Sequence, residues 1–501
     1  MTDAKKDTPV SPQKSQSGNH FLGWGLFLAT TLGVFVLGML LATVMERRNE
    51  AKIRTVLQPI DAYEMEASKW GVNWPRQYSS YQRMGETETE TKYGGAFPRD
   101  YLEESPDNVV LFSGYGFSKE FLQARGHVYT IEDVTNTERV GEATPATCWT
   151  CKGPDVPRLM AEFGRDHIDN PDAGFTQLIS AGAADFYGSK FQDLKSEITH
   201  PIGCLDCHNP ETMELRISRP ALREAFERPG RDIEEVSHQE MRSLVCAQCH
   251  VEYYFQGEGK YLTFPWDGGQ KVEDMEEYYQ EVDHTDWTHA VSGAPMVKMQ
   301  HPDYELYMTG IHAYRNVACA DCHMPYRTEG GVKFTDHHVQ SPLLNIANSC
   351  SVCHRWGEEE ILARVEMIQD STREARTRAE RSIAQAHFDI AACVEAGATD
   401  IELGRVRDTL RSAQLRWDYI GASNGMGFHS PQESIRILSS SLEQSAESRL
   451  ESSRILARHG YTDEVVYPDV STGALAQEVR MQFIDGNPPQ LLADAPESTE
   501  E

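Results

Sequence analysis

The sequence predicts a mainly α-helical chain with few strands: a core of short helices and loops, followed by long C-terminal helices. Three observations carry this. Residues 50–147 are broken repeatedly by Pro, Gly and Tyr, the punctuation of short helices and loops. Glu358–Glu395 contains neither Gly nor Pro and is rich in Ala, Glu and Arg, as a long helix requires. Between them, five Cys-x-x-Cys turns begin at Cys148, Cys204, Cys246, Cys319 and Cys350.

In chain order, residues 1–20 form a polar tail with Lys5, Lys6 and Lys14, and Phe21–Met45 then runs 25 residues without a charge. About 20 apolar residues cross a bilayer as a helix. A cleaved signal peptide is the rival reading, but its apolar stretch is usually shorter and shows a small-residue cleavage site. No such site precedes Glu46, Arg47 and Arg48, so residues 21–45 are expected to remain as a membrane anchor. The net charge of −30 argues against a nucleic-acid partner. An anionic substrate would need a local positive funnel against that field.

Four of the cysteine turns continue into histidine: Cys204–His208, Cys246–His250, Cys319–His323 and Cys350–His354. This is the spacing of haem attachment, two thioether bonds and an adjoining proximal ligand. A zinc ribbon would need two such turns sharing one metal; here each turn has its own histidine. Together the five turns use ten of eleven cysteines, leaving only Cys393, so disulfides are not expected. The first turn, Cys148-Trp149-Thr150-Cys151-Lys152, places lysine where histidine should stand. A lysine amine binds iron only when neutral, so coordination and burial must depress its pKa. One haem in five is thus set apart, which points to one working iron fed by four electron carriers. Haem is attached covalently outside the cytoplasm, so everything after the apolar span faces the periplasm. Five haems strung along residues 148–354 would act as a shared core, giving a single haem-packed domain over residues 46–357.

Of the 18 histidines, four are spoken for by the turns, leaving fourteen. Electron-carrying haems take a second axial ligand; histidine or one of the 16 methionines would serve. Ala124-Arg125-Gly126-His127 precedes the first turn and offers a spare histidine. Val251-Glu252-Tyr253-Tyr254-Phe255 follows His250 directly, and Lys298-Met299-Gln300-His301-Pro302 and Gly310-Ile311-His312 come later. Oxygen ligands such as Glu and Gln suit calcium. Taken alone, however, Glu252 reads as a surface acid and Tyr253 as a packing aromatic. Beyond Gly357, Glu358–Glu395 reads as a long, largely exposed helix with pairs such as Glu374–Arg378. Asp400–Tyr419 is a second helix, and Ser430-Pro431 opens a third that ends near His459-Gly460. Residues 358–465 are expected to form a bundle and dimer interface, and residues 466–501 a C-terminal tail.

With CWTCK at residues 148–152, four CxxCH turns in this order, ARGH, CHVEYYF and KMQHP, the chain resembles the pentahaem cytochrome c nitrite reductases over roughly residues 70–460. These enzymes reduce nitrite to ammonia in the periplasm. The resemblance implies five covalently bound haem c groups, with Lys152 proximal on the catalytic one, and Arg125, Tyr253 and His301 in its distal pocket. It implies distal ligands as well: His127 for the haem on Cys246 and Cys249, and His312 for that on Cys350 and Cys353. His337 (or its neighbour His338) would serve the haem on Cys204 and Cys207, and His429 that on Cys319 and Cys322. It further implies calcium held by Glu252, the Tyr253 and Lys298 carbonyls, and Gln300. A homodimer is implied, with a membrane quinol-oxidising multihaem cytochrome as electron donor. Two other functions fit the same residues: a pure electron-transfer cytochrome, or a related reductase of sulfite or hydroxylamine.

Overall fold

The computed structural model describes residues 20–50 and 56–493, and the chain falls into two units, residues 1–59 and 60–501. Most of the polar N-terminal tail and the acidic end from residue 494 lie outside the described residues. In the first unit, α1 (His20–Glu50) is a single helix whose stretch Phe21–Glu46 is long and apolar enough to cross a membrane. Its polar side chains serve themselves: Thr30, Thr31 and Thr43 donate to the carbonyls of Leu26, Phe27 and Met39 at 2.8–2.9 Å. A helix that satisfies its own hydroxyls asks nothing of hydrocarbon.

In the second unit, short helices such as α2 (Asp155–Arg165) and α3 (Phe175–Gly188) alternate with loops. Among the described residues the strands form only four separate two-stranded antiparallel hairpins. One of them, β1 (Tyr326–Glu329) with β2 (Val332–Thr335), pairs Glu329 with Val332 and delivers the chain directly into Asp336-His337.

Three long helices follow: α4 (Glu358–Glu395), α5 (Asp400–Ala422) and α6 (Pro431–Arg458). α5 opens on a capping box, Thr399 N donating to Glu402 Oε2 at 2.8 Å and Glu402 N to Thr399 Oγ1 at 3.4 Å. α6 has Pro431 at its first position, as expected, but the Ser430 hydroxyl does not cap; its carbonyl accepts Ser434 N instead. The expectation that α4 is largely exposed fails over its second half. There Ala379, Ala384, Ala386, Ala391 and Ala392 are buried, small enough for neighbouring helices to approach closely. α6 answers with buried Ser434, Ser441, Ser445, Ser448 and Ser452 on one face. Two of these hydroxyls find partners on the neighbouring helices, Ser441 donating to Ala413 O at 2.6 Å and Ser445 to Ser382 Oγ at 2.8 Å, while Ser434 and Ser452 donate to carbonyls of their own helix end and helix. A further helix, α7 (Gly473–Ile484), forms within residues 466–501 and buries Ala476 and Val479.

Two large apolar clusters make most of the core. One is built on α4–α6 and includes Tyr254, Met299, Leu306 and Trp417. The other is built on α2 and α3 and includes Trp149, Val251 and Tyr304. The segments carrying Trp149, Val251–Tyr254 and Met299–Leu306 therefore run along the seam between the clusters, while the Cys350 turn packs on a smaller cluster of Ile346, Ile361 and Val365. Trp149 anchors the first cysteine turn, stacked on Phe191 at 3.9 Å with its Nε1 donating to Phe191 O at 3.0 Å. Truncating such a side chain to alanine costs about 3–5 kcal/mol.

Candidate functional site

The ten motif cysteines are all at least partly accessible, whereas Cys393 is buried. Cysteine packs as a small apolar residue and is usually buried, so these thiols line clefts inside the fold. The turns also meet one another. The Cys151 thiol reaches Cys249, and Cys246 reaches Cys319. Cys322 lies near Cys350 and Cys353, and Cys207 near Cys246. Four turns thus follow in the order 148, 246, 319 and 350, with the turn at 204 branching at 246.

Each of the four CxxCH histidines faces a second histidine. Ring centroids lie 6.4 Å apart for His127 and His250, and 6.2 Å apart for His208 and His337. They lie 6.3 Å apart for His323 with His429 and for His312 with His354. A metal–imidazole bond of about 2 Å on each side, plus about 1 Å from each nitrogen to its ring centre, gives ~6 Å. The spacing fits one iron held between each pair, although His250 also has the His301 ring at 6.0 Å. The remaining ring nitrogens are oriented as axial ligands need. His208 Nδ1 lies 3.0 Å from Met213 O, His323 Nδ1 3.0 Å from Gln340 O, and His337 Nδ1 2.8 Å from Thr335 O. His337, not His338, is the histidine that faces His208.

Local backbone explains the aim. Gly126 has φ 119° and ψ 175°, a region only glycine occupies freely, and it separates Arg125 from His127. Gly310, beside His312, passes so close to the His429 carbonyl that a Cβ would sit 2.0 Å from its oxygen. The loops carrying these two histidines cross there.

A buried polar network, not anticipated from the sequence, fastens three turns together. Arg219 is 1% exposed. Its Nη2 donates to Asp206 Oδ1 at 2.6 Å and to Gly153 O at 3.0 Å, and its Nε to Thr150 O at 2.5 Å. It therefore grips the backbone on both sides of Lys152 and ties it to the 204–207 turn. Gln248, inside the third turn, donates to Asp206 O at 3.0 Å and accepts from Ser218 N at 3.0 Å. Asp321, inside the fourth, is held by Gln239 at 2.6 Å and by Arg242. The signal was there: Asp206, Gln248 and Asp321 are polar residues at the same motif position.

Around Lys152, the predicted pocket residues come together unequally. Thr130 donates to both Lys152 O and His127 O, at 2.7 and 2.9 Å, docking the Arg125–His127 segment on the first turn. Tyr253 is close enough to Cys148 and Cys151, and His301 to Lys152, for their charges to act on one another. Burial above all keeps the Tyr253 hydroxyl protonated. Desolvation by the chain packed around it, then His250, lowers the His301 pKa, although the residue itself keeps an exposed face. Neither His301 ring nitrogen has a hydrogen-bond partner among the described residues. Arg125 is engaged instead by Asp133, at 2.8 and 2.6 Å from Nε and Nη2, and by Glu132 at 2.9 Å. Its Nη1 remains for another acceptor.

Glu252 is fully buried rather than a surface acid. Gln300 N donates to its Oε2 at 2.5 Å and Tyr279 Oη to its Oε1 at 2.7 Å. Burial raises its pKa well above the carboxylate range. Beside it, Glu305 is also buried and has Oε2 without a partner. Gln300 Nε2 lies 3.1 Å from Lys298 O; turned half-way round, the amide would present oxygen there. The Lys298 ammonium takes no part, being paired with Asp418 Oδ1 at 2.9 Å. Buried carboxylates with too few donors, beside carbonyl and amide oxygens, fit a hard cation such as calcium.

A helical fold whose cysteine turns line clefts between paired imidazoles is that of a multihaem cytochrome c. The chain belongs to the cytochrome c552 family, whose profile matches residues 66–487. It is 48% identical over 465 residues to a cytochrome c-552 of Bacteroides fragilis, covering 91% of each chain. It is 46% identical over 485 residues to one of Porphyromonas gingivalis, covering 94% of this chain and 93% of that one. Among solved structures it is similar to a cytochrome c nitrite reductase from Desulfovibrio desulfuricans, whose catalytic subunit has two calcium sites. That match has a TM-score of 0.71 at 30% identity and covers 80% of this chain and 89% of the other.

Proposed function

We propose that this chain is a periplasmic, ammonia-forming nitrite reductase carrying five haem c groups. The haem on Cys148 and Cys151 is the catalytic one, with Lys152 as proximal ligand. The other four take the histidine pairs His208–His337, His250–His127, His323–His429 and His354–His312. One observation carries this reading: four attachment turns have imidazoles paired at 6.2–6.4 Å, while the fifth carries lysine and has Tyr253 and His301 nearby. The family membership and the fold shared with a nitrite reductase support it.

Haem held by these turns would supply electron transfer and, beside Lys152, the site for nitrite. The chain's residues do the rest. A neutral His301 donates one N–H to a nitrite oxygen, and Arg125 Nη1 offers a second donor of fixed positive charge. The Tyr253 hydroxyl stays protonated and orients the departing oxygen. Glu252, the Tyr253 and Lys298 carbonyls and Gln300 would hold calcium, which would tie the tyrosine segment to the His301 loop and add positive charge beside an anionic substrate. The apolar helix at residues 21–46 serves as a membrane anchor, keeping the enzyme near a membrane quinol-oxidising multihaem cytochrome as donor. The long helices α4–α6 are the face of a homodimer. Optical and electron paramagnetic spectra test the haem assignment. Four low-spin six-coordinate haems and one that shifts on nitrite addition are expected. Five low-spin haems indifferent to nitrite would leave an electron carrier only.

A further inference from the structure

The partner of His250 differs in kind from those of His208, His323 and His337. Those three direct Nδ1 at backbone carbonyls of Met213, Gln340 and Thr335. His250 Nδ1 instead lies 3.2 Å from a side-chain carboxylate, Asp303 Oδ2. Asp303 is 7% exposed and sits two residues after His301. Its other bonds come from one residue: Asn424 N donates to Oδ1 at 2.6 Å and Asn424 Nδ2 to Oδ2 at 2.7 Å. Three N–H groups converge on it and no O–H or carboxyl acceptor does, the surroundings of an ionised carboxylate. Asn424 belongs to the loop that leads from α5 to His429.

We propose that Asp303 is a positioning residue that sets the reduction potential of the haem served by His250 below the potentials it would have with a carbonyl partner. This role follows from His250 being an axial ligand, as proposed above. A carboxylate accepting Nδ1–H makes the imidazole more basic and places negative charge one hydrogen bond from the iron ligand. Reduction adds one electron to that haem, and this charge disfavours the addition; no proton need move. Hydrogen bonding around an axial ligand is one of the protein's levers on haem potential. The position gives it purpose. The 246–249 turn touches the 148–151 turn through Cys249 and Cys151, the 319–322 turn through Cys246, and lies near Cys207. The 246–249 turn is thus a neighbour of three other turns, that of the lysine haem among them. Holding its haem low makes a transfer from it onto the substrate-binding haem run downhill. The same residue fixes the His301 loop to the loop of His429, so the tuning and the pocket share one anchor.

The test is a redox titration of the holo-protein followed spectroscopically, haem by haem. First, the unaltered protein must show four low-spin six-coordinate haems; if it does not, the ligand reading fails and takes this inference with it. Given those four, Asp303→Asn keeps the shape and the hydrogen-bond acceptor but removes the charge. One haem of the four should then titrate upward by at least about tenfold in its reduction equilibrium, 59 mV for one electron, with the rest unmoved and haem content intact. Asp303→Glu should stay near the original value. Asn424→Ala leaves the carboxylate with fewer donors competing for its charge and should move the same haem downward, so failure of the first variant to assemble leaves the proposal open to refutation. Unchanged potentials in both Asp303→Asn and Asn424→Ala, or all haems moving together, would overturn it.

Discussion

Arg219 and Asp206 are buried together, Nη2 to Oδ1 at 2.6 Å, with the guanidinium also donating to the carbonyls of Thr150 and Gly153. Removing the guanidinium leaves a buried carboxylate and two carbonyls unpaired. Breaking a buried pair in this way costs about 3–5 kcal/mol. Arg219→Leu should lose about that much in chemical denaturation of the holo-protein, and Arg219→Lys somewhat less, because an ammonium cannot reproduce the fork. A loss below about 1 kcal/mol would mean the turn at Lys152 is held by something else.

Glu252 links the tyrosine segment to the His301 loop through the Gln300 amide. If calcium neutralises its charge, Glu252→Gln should weaken calcium binding by at least about tenfold, the loss that even outer partners of a metal produce. Calorimetry after chelation reads this directly. Calcium removal should also lower nitrite turnover in the unaltered protein and have much less effect in the variant.

His337 and His338 are adjacent, yet only His337 faces His208, while His338 is buried with Nδ1 unpartnered. His337→Ala should convert one low-spin haem to a five-coordinate or solvent-ligated form in the optical spectrum. His338→Ala should leave all spectra as they were and change stability only. The reverse pattern would move the ligand by one residue.

His301→Asn should reduce nitrite turnover by roughly 10²- to 10⁴-fold, the contribution of a positioned proton-transfer or hydrogen-bonding group. Haem content should stay at the unaltered level. Equal losses of turnover and haem would assign His301 a structural role.

Far from the haems, His387 and His289 stack at 3.5 Å in the helical core. Burial holds both neutral, although their partners favour the proton: His387 Nε2 bonds to Gln414 Oε1 and Nδ1 to Ser292 Oγ, each at 2.8 Å, and His289 Nε2 bonds to Val110 O at 2.8 Å. Burial pushes His387 down from 6.5 to about 4. Its folded pKa lies below the unfolded one, so its stabilisation is complete above pH 6.5 and is lost as pH falls toward 4. One pKa unit is 1.36 kcal/mol, so this residue alone accounts for about 3 kcal/mol. His387→Asn should flatten the fall in stability over that window; an unchanged slope would show that His387 protonates freely in the fold.

What could be read beforehand divides along physical lines. Cysteine spacing, the lysine at position 152 and the gaps without Gly or Pro are local patterns, and the long helices and attachment turns follow from them. Which histidine meets which is a tertiary fact; those pairings came from likeness to a family, not from spacing. The burial of α4 is not legible in the sequence because its charged first half masks the Ala-rich second half that α5 and α6 cover. The Arg219 network was missed because a lone arginine 11 residues beyond His208 carries no periodic signal. The lowered pKa of His301 depends on the groups packed around it, which no linear pattern contains.

The most direct test of the whole account is the product. Purified holo-protein, given nitrite and a strong artificial reductant, should release ammonium nearly one for one with nitrite consumed. That result would establish the six-electron reaction assigned to the Lys152 haem. Nitrite left unconsumed by fully reduced, haem-replete protein would contradict it and leave a chain that only carries electrons.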